Sequence, residues 1–472
     1  MACALSRFRA SIFAATAGLV LASTPAVCQT PAFMSSEEVR PIFTAMHESL
    51  PAELKIRSGV TSQQWLAWAR ESDAQVRARL ERGEEDTLTN LLRFGVTFTK
   101  EPPIDRDSLS SYGSNVAVNT IAQRRASDLV RALTSPGSNE GILQMRVFLE
   151  QKGFNFRTPE QRGKVKAFLL QNLERMRDEF DEYRSKIKTA NFKELSQLYA
   201  DRGISLDTDL WPDFALDKQL AELKAKGLLK PGYVKRIAIV GPGLDFANKH
   251  NGYDFYPPQT IQPFAVIDSL LRLGLAGPKL QLVTLDISPS VNIHVKRITE
   301  KAVLGGTYTV QLPWSSNVPW SSEYLTAFTQ YWKELGTQIG TPVQPVAVPS
   351  ALNNAALHLR AVRIRSEIVA RVKPVNMNIV FQRLPLAEPD KFDLIIGTNI
   401  FIYYGPFEQA LARANVSSML KTNGLLLTNE LLEDKVSSGI VEAARTEIIA
   451  STNPLISEHM ICYRKDNSRS VR

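Results

Sequence analysis

The chain has 472 residues, 56 Lys and Arg against 48 Asp and Glu, a formal net charge of +8, and a composition that is 44% hydrophobic and 22% charged. That balance suits two to three globular domains of about 100–200 residues each and excludes a disordered chain. A surplus of +8 spread over this length is too dilute for a dedicated nucleic-acid binder.

At the N-terminus, Arg7 and Arg9 precede an uncharged run from Ala10 to Ala22, and Ser23-Thr-Pro-Ala-Val-Cys28 follows. A basic start, an apolar stretch of about 7–15 residues and a small-residue cleavage site predict a signal peptide over 1–28. A membrane span would need about 20 apolar residues, so none is expected in the mature chain. Cleavage is expected near Ala26 or Cys28, with export to the periplasm or the medium. Val27 argues against a lipid anchor on Cys28, because such sites take a small residue there. Without Arg7 and Arg9 the net charge becomes +8 − 2 = +6, and of the three cysteines Cys462 is the one sure to persist. No internal disulfide framework then supports the fold.

Residues 30–225 read as an all-helical domain. Val165, Phe168, Leu169, Leu173, Met176, Phe180 and Tyr183 recur at spacings of three and four, drawing one apolar stripe on a helix with a charged opposite face. Ser35–Leu50, Thr61–Glu81 and Ala126–Leu133 behave alike, and Ser35-Ser-Glu-Glu and Thr61-Ser-Gln-Gln resemble capped helix starts. The Pro- and Ser-rich stretch from Glu101 to Ser114 reads as a loop. This half contains no internal repeat and no chemical motif.

Gly227-Leu-Leu-Lys-Pro-Gly232 marks a junction, after which the period changes. Short aliphatic runs appear at Ile237–Val240, Leu280–Leu285, Met377–Phe381, Leu394–Ile396 and Leu425–Leu427, with helical stretches between several of them. Strands buried on both faces read in this way, and their alternation with helices predicts parallel crossovers in a doubly wound α/β sheet. In such a sheet, ligands lie beyond the carboxyl ends of the strands, where glycine turns let backbone N–H groups approach.

Four pieces of this half resemble, in order and spacing, the class I S-adenosylmethionine-dependent methyltransferases. Val240-Gly-Pro-Gly-Leu-Asp245 stands at the family's first glycine motif, and Leu282-Val-Thr-Leu-Asp286 ends a second strand with an acid. Asp390-Lys-Phe-Asp-Leu-Ile-Ile-Gly-Thr-Asn-Ile-Phe-Ile-Tyr-Tyr404 is similar to the fourth strand and the loop beside the methyl donor, and Met419 to Glu430 to the following turn and fifth strand. The Asn-Ile-Phe-Ile-Tyr-Tyr wording is most similar to chemotaxis-receptor methyltransferases. The resemblance covers about 235–465, a Rossmann-like domain with an insertion at about 300–375.

What the resemblance implies is an S-adenosylmethionine site. Gly241, Gly243 and Leu244 would approach the cofactor by backbone, Asp286 would hold the ribose diol, and Arg383 and Leu384 would flank the adenine. Asn399 and Tyr403 would border the methyl and are the catalytic candidates. Two departures stand out: Ile239 replaces the usual acid before the first glycine, and Asp245 replaces the third glycine, where it could supply a compensating charge. Lys249–Thr260 reads as a lid with Tyr253, Asp254, Tyr256 and Gln259 toward the ligand, or as a structured loop.

Within the insertion, a helix is expected around Glu323–Leu335 and a basic one around Ala355–Lys373. Trp314 and Trp320 either line a substrate pocket or pack the insertion. Arg360, Arg363, Arg365, Arg371 and Lys373 either attract an acidic partner or form a solvated face. The five histidines show no paired metal spacing, and neither a Gly-x-Ser-x-Gly elbow nor a Gly-Lys-Ser/Thr phosphate loop occurs. Three readings stay open: a methyltransferase of unknown acceptor, an exported and catalytically degenerate binding or structural module on the same fold, and another α/β activity such as nicotinamide-linked redox chemistry. The last would want Gly at position 246, which is Phe.

Overall fold

A computed structural model describes residues 30–56, 59–186, 203–206, 208, 210–245, 254–318, 320–352, 356–432, 439–450 and 457–466. The signal peptide expected over 1–28, and Tyr253, lie outside these residues. Among those described, no helix is long and apolar enough to cross a membrane.

A two-residue strand β1 (Ala32–Phe33) leads into α1 (Ser36–Ala45) and the long α2 (Ser62–Phe94). Both helices open in capping boxes. The Ser35 hydroxyl accepts the Glu38 N–H while the Glu38 carboxylate accepts the Ser35 N–H, and Thr61 and Gln64 repeat the exchange. The short α3 (Arg106–Ser111) sits inside the stretch read as a loop, begun by the Asp105 carboxylate capping the Ser108 N–H. α4 (Val116–Thr134), α5 (Glu140–Gln151) and α6 (Pro159–Lys186) follow. On α6 the stripe residues Val165, Leu169 and Leu173 are buried, and Phe168, Met176 and Phe180 pack along its margin.

The helical half expected over 30–225 is not one unit. Residues from Leu88 to Leu173 enclose a core of their own, whereas those from Met34 to Leu80 and from Ile204 to Leu229 belong to the core of the sheet. Trp65 shows why: it is fully buried, donates its indole N–H to the Met34 carbonyl at 2.6 Å, and stacks on Trp68, which packs in turn on Phe381 and Phe407. Helix α2 therefore begins in one core and ends in the other.

Beyond α7 (Leu210–Ala225) come β2 (Val234–Val240), α8 (Gln262–Arg272), β3 (Ala276–Asp286) and α9 (Pro289–Val303). The insertion holds β4 (Tyr308–Ser315), α10 (Ser322–Glu334), β5 (Gly340–Val343), β6 (Leu357–Ile364) and α11 (Ser366–Val369). The chain then adds β7 (Val372–Asn376), β8 (Gln382–Arg383), β9 (Phe392–Gly397), α12 (Pro406–Met419), β10 (Leu420–Thr428), β11 (Ile440–Ile449) and β12 (Ser457–Lys465). Seven strands form one sheet in the order β11-β12-β10-β9-β2-β3-β7. The run from β10 to β7 is parallel, and β12 is antiparallel to both neighbours. All six residues of β9 are buried, as expected of a central strand covered on both faces in a Rossmann-like α/β fold.

Two expectations for the second half need correction. The third parallel strand is Val372–Asn376, not Met377–Phe381. Lys373 and Pro374 break its aliphatic run, and the strand tolerates a proline because it is the sheet's edge. The basic segment Ala355–Lys373 is chiefly β6, the middle strand of a small antiparallel sheet ordered β4-β6-β5. Three of its arginines are held by backbone: Arg360 donates to the Trp332 and Leu335 carbonyls at the end of α10, Arg365 donates to the Gln338 carbonyl at 2.9 Å, and Arg371 donates to the Pro278 carbonyl. Trp314 is buried and stacks on His358 at 4.4 Å, and Trp320 packs against Tyr324, so both indoles pack the insertion.

Candidate functional site

From β2 the chain winds outward through β3 to β7, then returns to the other side of β2 with β9 and β10. The carboxyl ends of β2 and β9 thus flank a topological switch point, the place where an open α/β sheet parts to admit a ligand. A cavity of ≈ 510 Å³, opening included, lies there. Its sheet-side wall consists of Val240, Gly241 and Gly243 at the end of β2, Leu285–Ile287 at the end of β3, Met377–Ile379 after β7, and Ile400, Tyr403 and Tyr404 after β9.

The glycine turn has the geometry its sequence requires. Gly241 and Gly243 have φ of +62° and +72°, and a Cβ on Gly241 would lie 2.2 Å from Ile400 Cδ1. Asp286 ends β3 beside it, 7% exposed, with its Oδ1 accepting the Ser288 N–H at 2.7 Å. Burial pushes its carboxyl up to about 7, against the pull of the Ser288 amide and of Arg77. A buried carboxylate on the wall of a cavity can accept hydrogen bonds from a ligand that carries vicinal hydroxyls.

The structure brings Gly241, Gly243, Asp286 and Tyr403 to this cavity and leaves the other expected residues out. Leu244 is buried, with its N–H donated to the Leu206 carbonyl at 2.7 Å. Asp245 exchanges backbone hydrogen bonds with Gln259 at 2.6 and 2.9 Å, and its carboxylate accepts from Tyr256 at 3.1 Å and from the Gln259 amide at 3.0 Å. It does not compensate for the missing acid at position 239. Asn399 is exposed at φ +58° and forms a reciprocal side-chain and backbone pair with Asn429.

Arg383 and Leu384 follow the misplaced third strand. Arg383 sits in β8, paired with β1 and ion-paired with Glu38, and Leu384 is buried with its N–H toward Met419. With the strand ending at Asn376, the loop beside the cavity is Met377–Ile379. The Tyr256, Gln259 and Asp254 lid is a structured loop. Asp254 accepts from the N–H groups of Val96 and Thr97 at 2.9 and 3.3 Å and from the Thr97 hydroxyl at 2.7 Å, fastening the end of α2.

The roof of the cavity comes from the part of the chain in which no motif was found. Leu80 of α2 lines it, together with Ile204, Ser205 and Leu206. At 33 residues α2 is about 50 Å long, enough to cross the carboxyl edge of the sheet. Along it, Asp73 accepts from Asn378 at 2.8 Å, Arg77 reaches Asn376 and Ile287, Arg79 reaches the Tyr403 carbonyl at 3.2 Å, and Glu84 accepts from Ser290 at 2.6 Å. Gly83 lets the 203–206 segment approach, since a Cβ there would lie 1.9 Å from the Ile204 carbonyl oxygen. No periodicity signal could have announced these contacts, because they depend on where the helix lands.

No family model matches the sequence, and no curated protein matches it. Among solved structures, the chain is similar to magnesium protoporphyrin IX methyltransferase (ChlM) from Synechocystis PCC 6803 with bound SAM, at 10% identity over 59% of this chain and 86% of that chain, TM-score 0.27. It is also similar to the N-methyltransferase NodS from Bradyrhizobium japonicum WM9 in complex with S-adenosyl-l-homocysteine, at 12% identity over 58% and 99%, TM-score 0.26. MtNAS in complex with MTA and tNA matches at 10% identity over 75% and 99%, TM-score 0.23. All three scores lie below 0.5, and the fold rests on this chain's own strand order.

Proposed function

We propose that the chain is an S-adenosylmethionine-dependent methyltransferase of unknown acceptor, with its cofactor in the switch-point cleft. The observation that carries this reading is that the side-chain-free turn at Gly241–Gly243 and the Asp286 carboxylate line one cavity at the carboxyl ends of adjacent parallel strands. The residues suit the cofactor's parts. Asp286 would accept from the ribose hydroxyls, Met377 and Ile379 offer apolar contact to a purine, and the glycine turn admits the amino-acid end.

When bound, the sulfonium supplies an activated methyl group. The chain's own task is alignment and exclusion of water, which Ile400, Tyr403, Leu80 and Leu206 perform as walls of the cavity. A nucleophilic acceptor needs no strong base, which accords with a cavity wall whose one carboxylate among the described residues is Asp286. The export expected from the 1–28 leader belongs to the same proposal and is checked by the N-terminal sequence of the secreted chain.

One observation favours a second reading. The Leu244 amide, a donor that a ligand carboxylate could use, is taken by the Leu206 carbonyl, as in a module that has given up catalysis. Titrating the full chain with S-adenosylmethionine and, separately, with NADH decides between them. Binding of the first that is lost in Asp286→Ala supports the cofactor reading, and labelled-methyl transfer to a cell extract supports the enzyme. Binding of neither ligand leaves the degenerate module.

A further inference from the structure

The edge of the cleft nearest the Asp286 carboxylate is held by a side chain from the other half of the chain. The Arg77 guanidinium donates to Asn376 Oδ1 at 2.7 Å, at the end of β7, and to the Ile287 carbonyl at 3.2 Å, directly after Asp286. It is oriented by Asp73, one turn earlier on α2, whose Oδ2 accepts from its Nε at 3.0 Å. The other oxygen of Asp73 accepts from Asn378, a cavity residue. One ion pair on α2 thus ties together the segments that follow β3 and β7. Arg77 is part-buried, with a side chain 28% exposed, which strengthens its field at Asp286 relative to a solvated arginine.

Resting on the proposed cofactor reading, we propose that Arg77 is a positioning residue for the ribose: it fixes the Ile287 and Asn376 segments on either side of the diol site and sets a permanent positive charge beside Asp286. A carboxylate can accept both hydroxyl protons of a vicinal diol, whereas the protonated acid gives up part of that capacity. Burial favours the protonated form of Asp286, and Arg77 opposes it. Among the described residues, the other charged or titratable groups around this corner are Asp73, Arg79 and Glu84 on α2 and Tyr403 and Tyr404 beyond the end of β9, and burial holds the Tyr404 hydroxyl protonated. Lysine at position 77 would keep the charge but not the planar fork that serves Asn376, Ile287 and Asp73 together.

The test uses the full-length chain and S-adenosylhomocysteine, titrated across the range in which Asp286 ionises, on wild type, Arg77→Met and Arg77→Lys. Affinity of the wild type is expected to rise with pH as the carboxylate forms. Arg77→Met shifts that midpoint upward, so binding at about pH 7 falls about tenfold while binding at about pH 9 falls less than about threefold. Arg77→Lys leaves the midpoint in place and weakens binding a few-fold throughout. In the ligand-free proteins, the ¹³C carboxyl titration of Asp286, assigned by its disappearance in Asp286→Asn, moves upward in Arg77→Met alone. An unchanged midpoint in Arg77→Met, or an equal loss at every pH in both variants, overturns the proposal. A wild type that binds no S-adenosylhomocysteine even at about pH 9 sinks the cofactor reading instead, and the ribose assignment with it, while the ¹³C titration still reports whether Arg77 governs Asp286.

Discussion

Replacing Asp286 with asparagine separates what the carboxylate does for the fold from what it does for the site. The side chain keeps its shape, and its carbonyl oxygen can still accept the Ser288 N–H. Removed is a charge that the fold disfavours, since burial raises the carboxyl from its ordinary 3.8 to about 7. A group that protonates more readily folded than unfolded makes stability decline as pH climbs between those two values, and the loss is complete above about 7. Three units at 1.36 kcal/mol each set the loss at about 4 kcal/mol. Asp286→Asn should therefore gain up to about 4 kcal/mol at about pH 8 and under about 1 kcal/mol at about pH 4, while losing affinity for adenosine-containing ligands. Guanidinium unfolding of both proteins at the two pH values measures it. A variant that is destabilised at the higher pH, or whose gain does not depend on pH, would refute the reasoning.

Three further outcomes are expected. Gly241→Ala puts a Cβ 2.2 Å from Ile400 Cδ1 at a φ of +62°, so it should cost about 1–3 kcal/mol and abolish cofactor binding, read by chemical denaturation and calorimetry. Asp254→Ala strips two backbone amides and a hydroxyl of their acceptor. It should cost about 2–3 kcal/mol and speed amide exchange at Val96 and Thr97 without altering exchange at β9. Cys462 is buried and its thiol is pushed up to about 12 by that burial, so a disulfide reagent should label it after unfolding and not before, followed by mass spectrometry of its peptide.

The parallel strands were legible wherever burial on both faces left an uninterrupted aliphatic run, as at Ile237–Val240 and Leu394–Ile396. Capping boxes at Ser35 and Thr61 were legible because the exchange is local, completed within four residues. Errors arose where position in the sheet overrode local pattern. Val372–Asn376 carries a proline that an edge strand tolerates, and missing it displaced the expected purine contacts to Arg383 and Leu384. The family resemblance singled out Gly241, Gly243 and Asp286, which line one cavity because the glycine turn and the acid stand at the carboxyl ends of adjacent parallel strands. The roof of α2 and residues 204–206 was beyond such reasoning. Leu80 meets Asp286 only after the chain has folded back across some 200 positions, and nothing in the charged pattern around Arg77 distinguishes it from a solvated face.

The pairing of β1 with β8 also bears on the order in which the chain matures. Phe33 finds its partner in Gln382, roughly 350 positions later, and Trp68 finds Phe381 and Phe407 at similar range. At about 5–20 residues per second, a ribosome needs on the order of 20–70 s to deliver those partners. Throughout that interval β1 has no partner strand, although Phe43 and Met34 can already meet Trp65 of α2. This long-range stitch thus leaves β1 unpaired until synthesis is nearly complete.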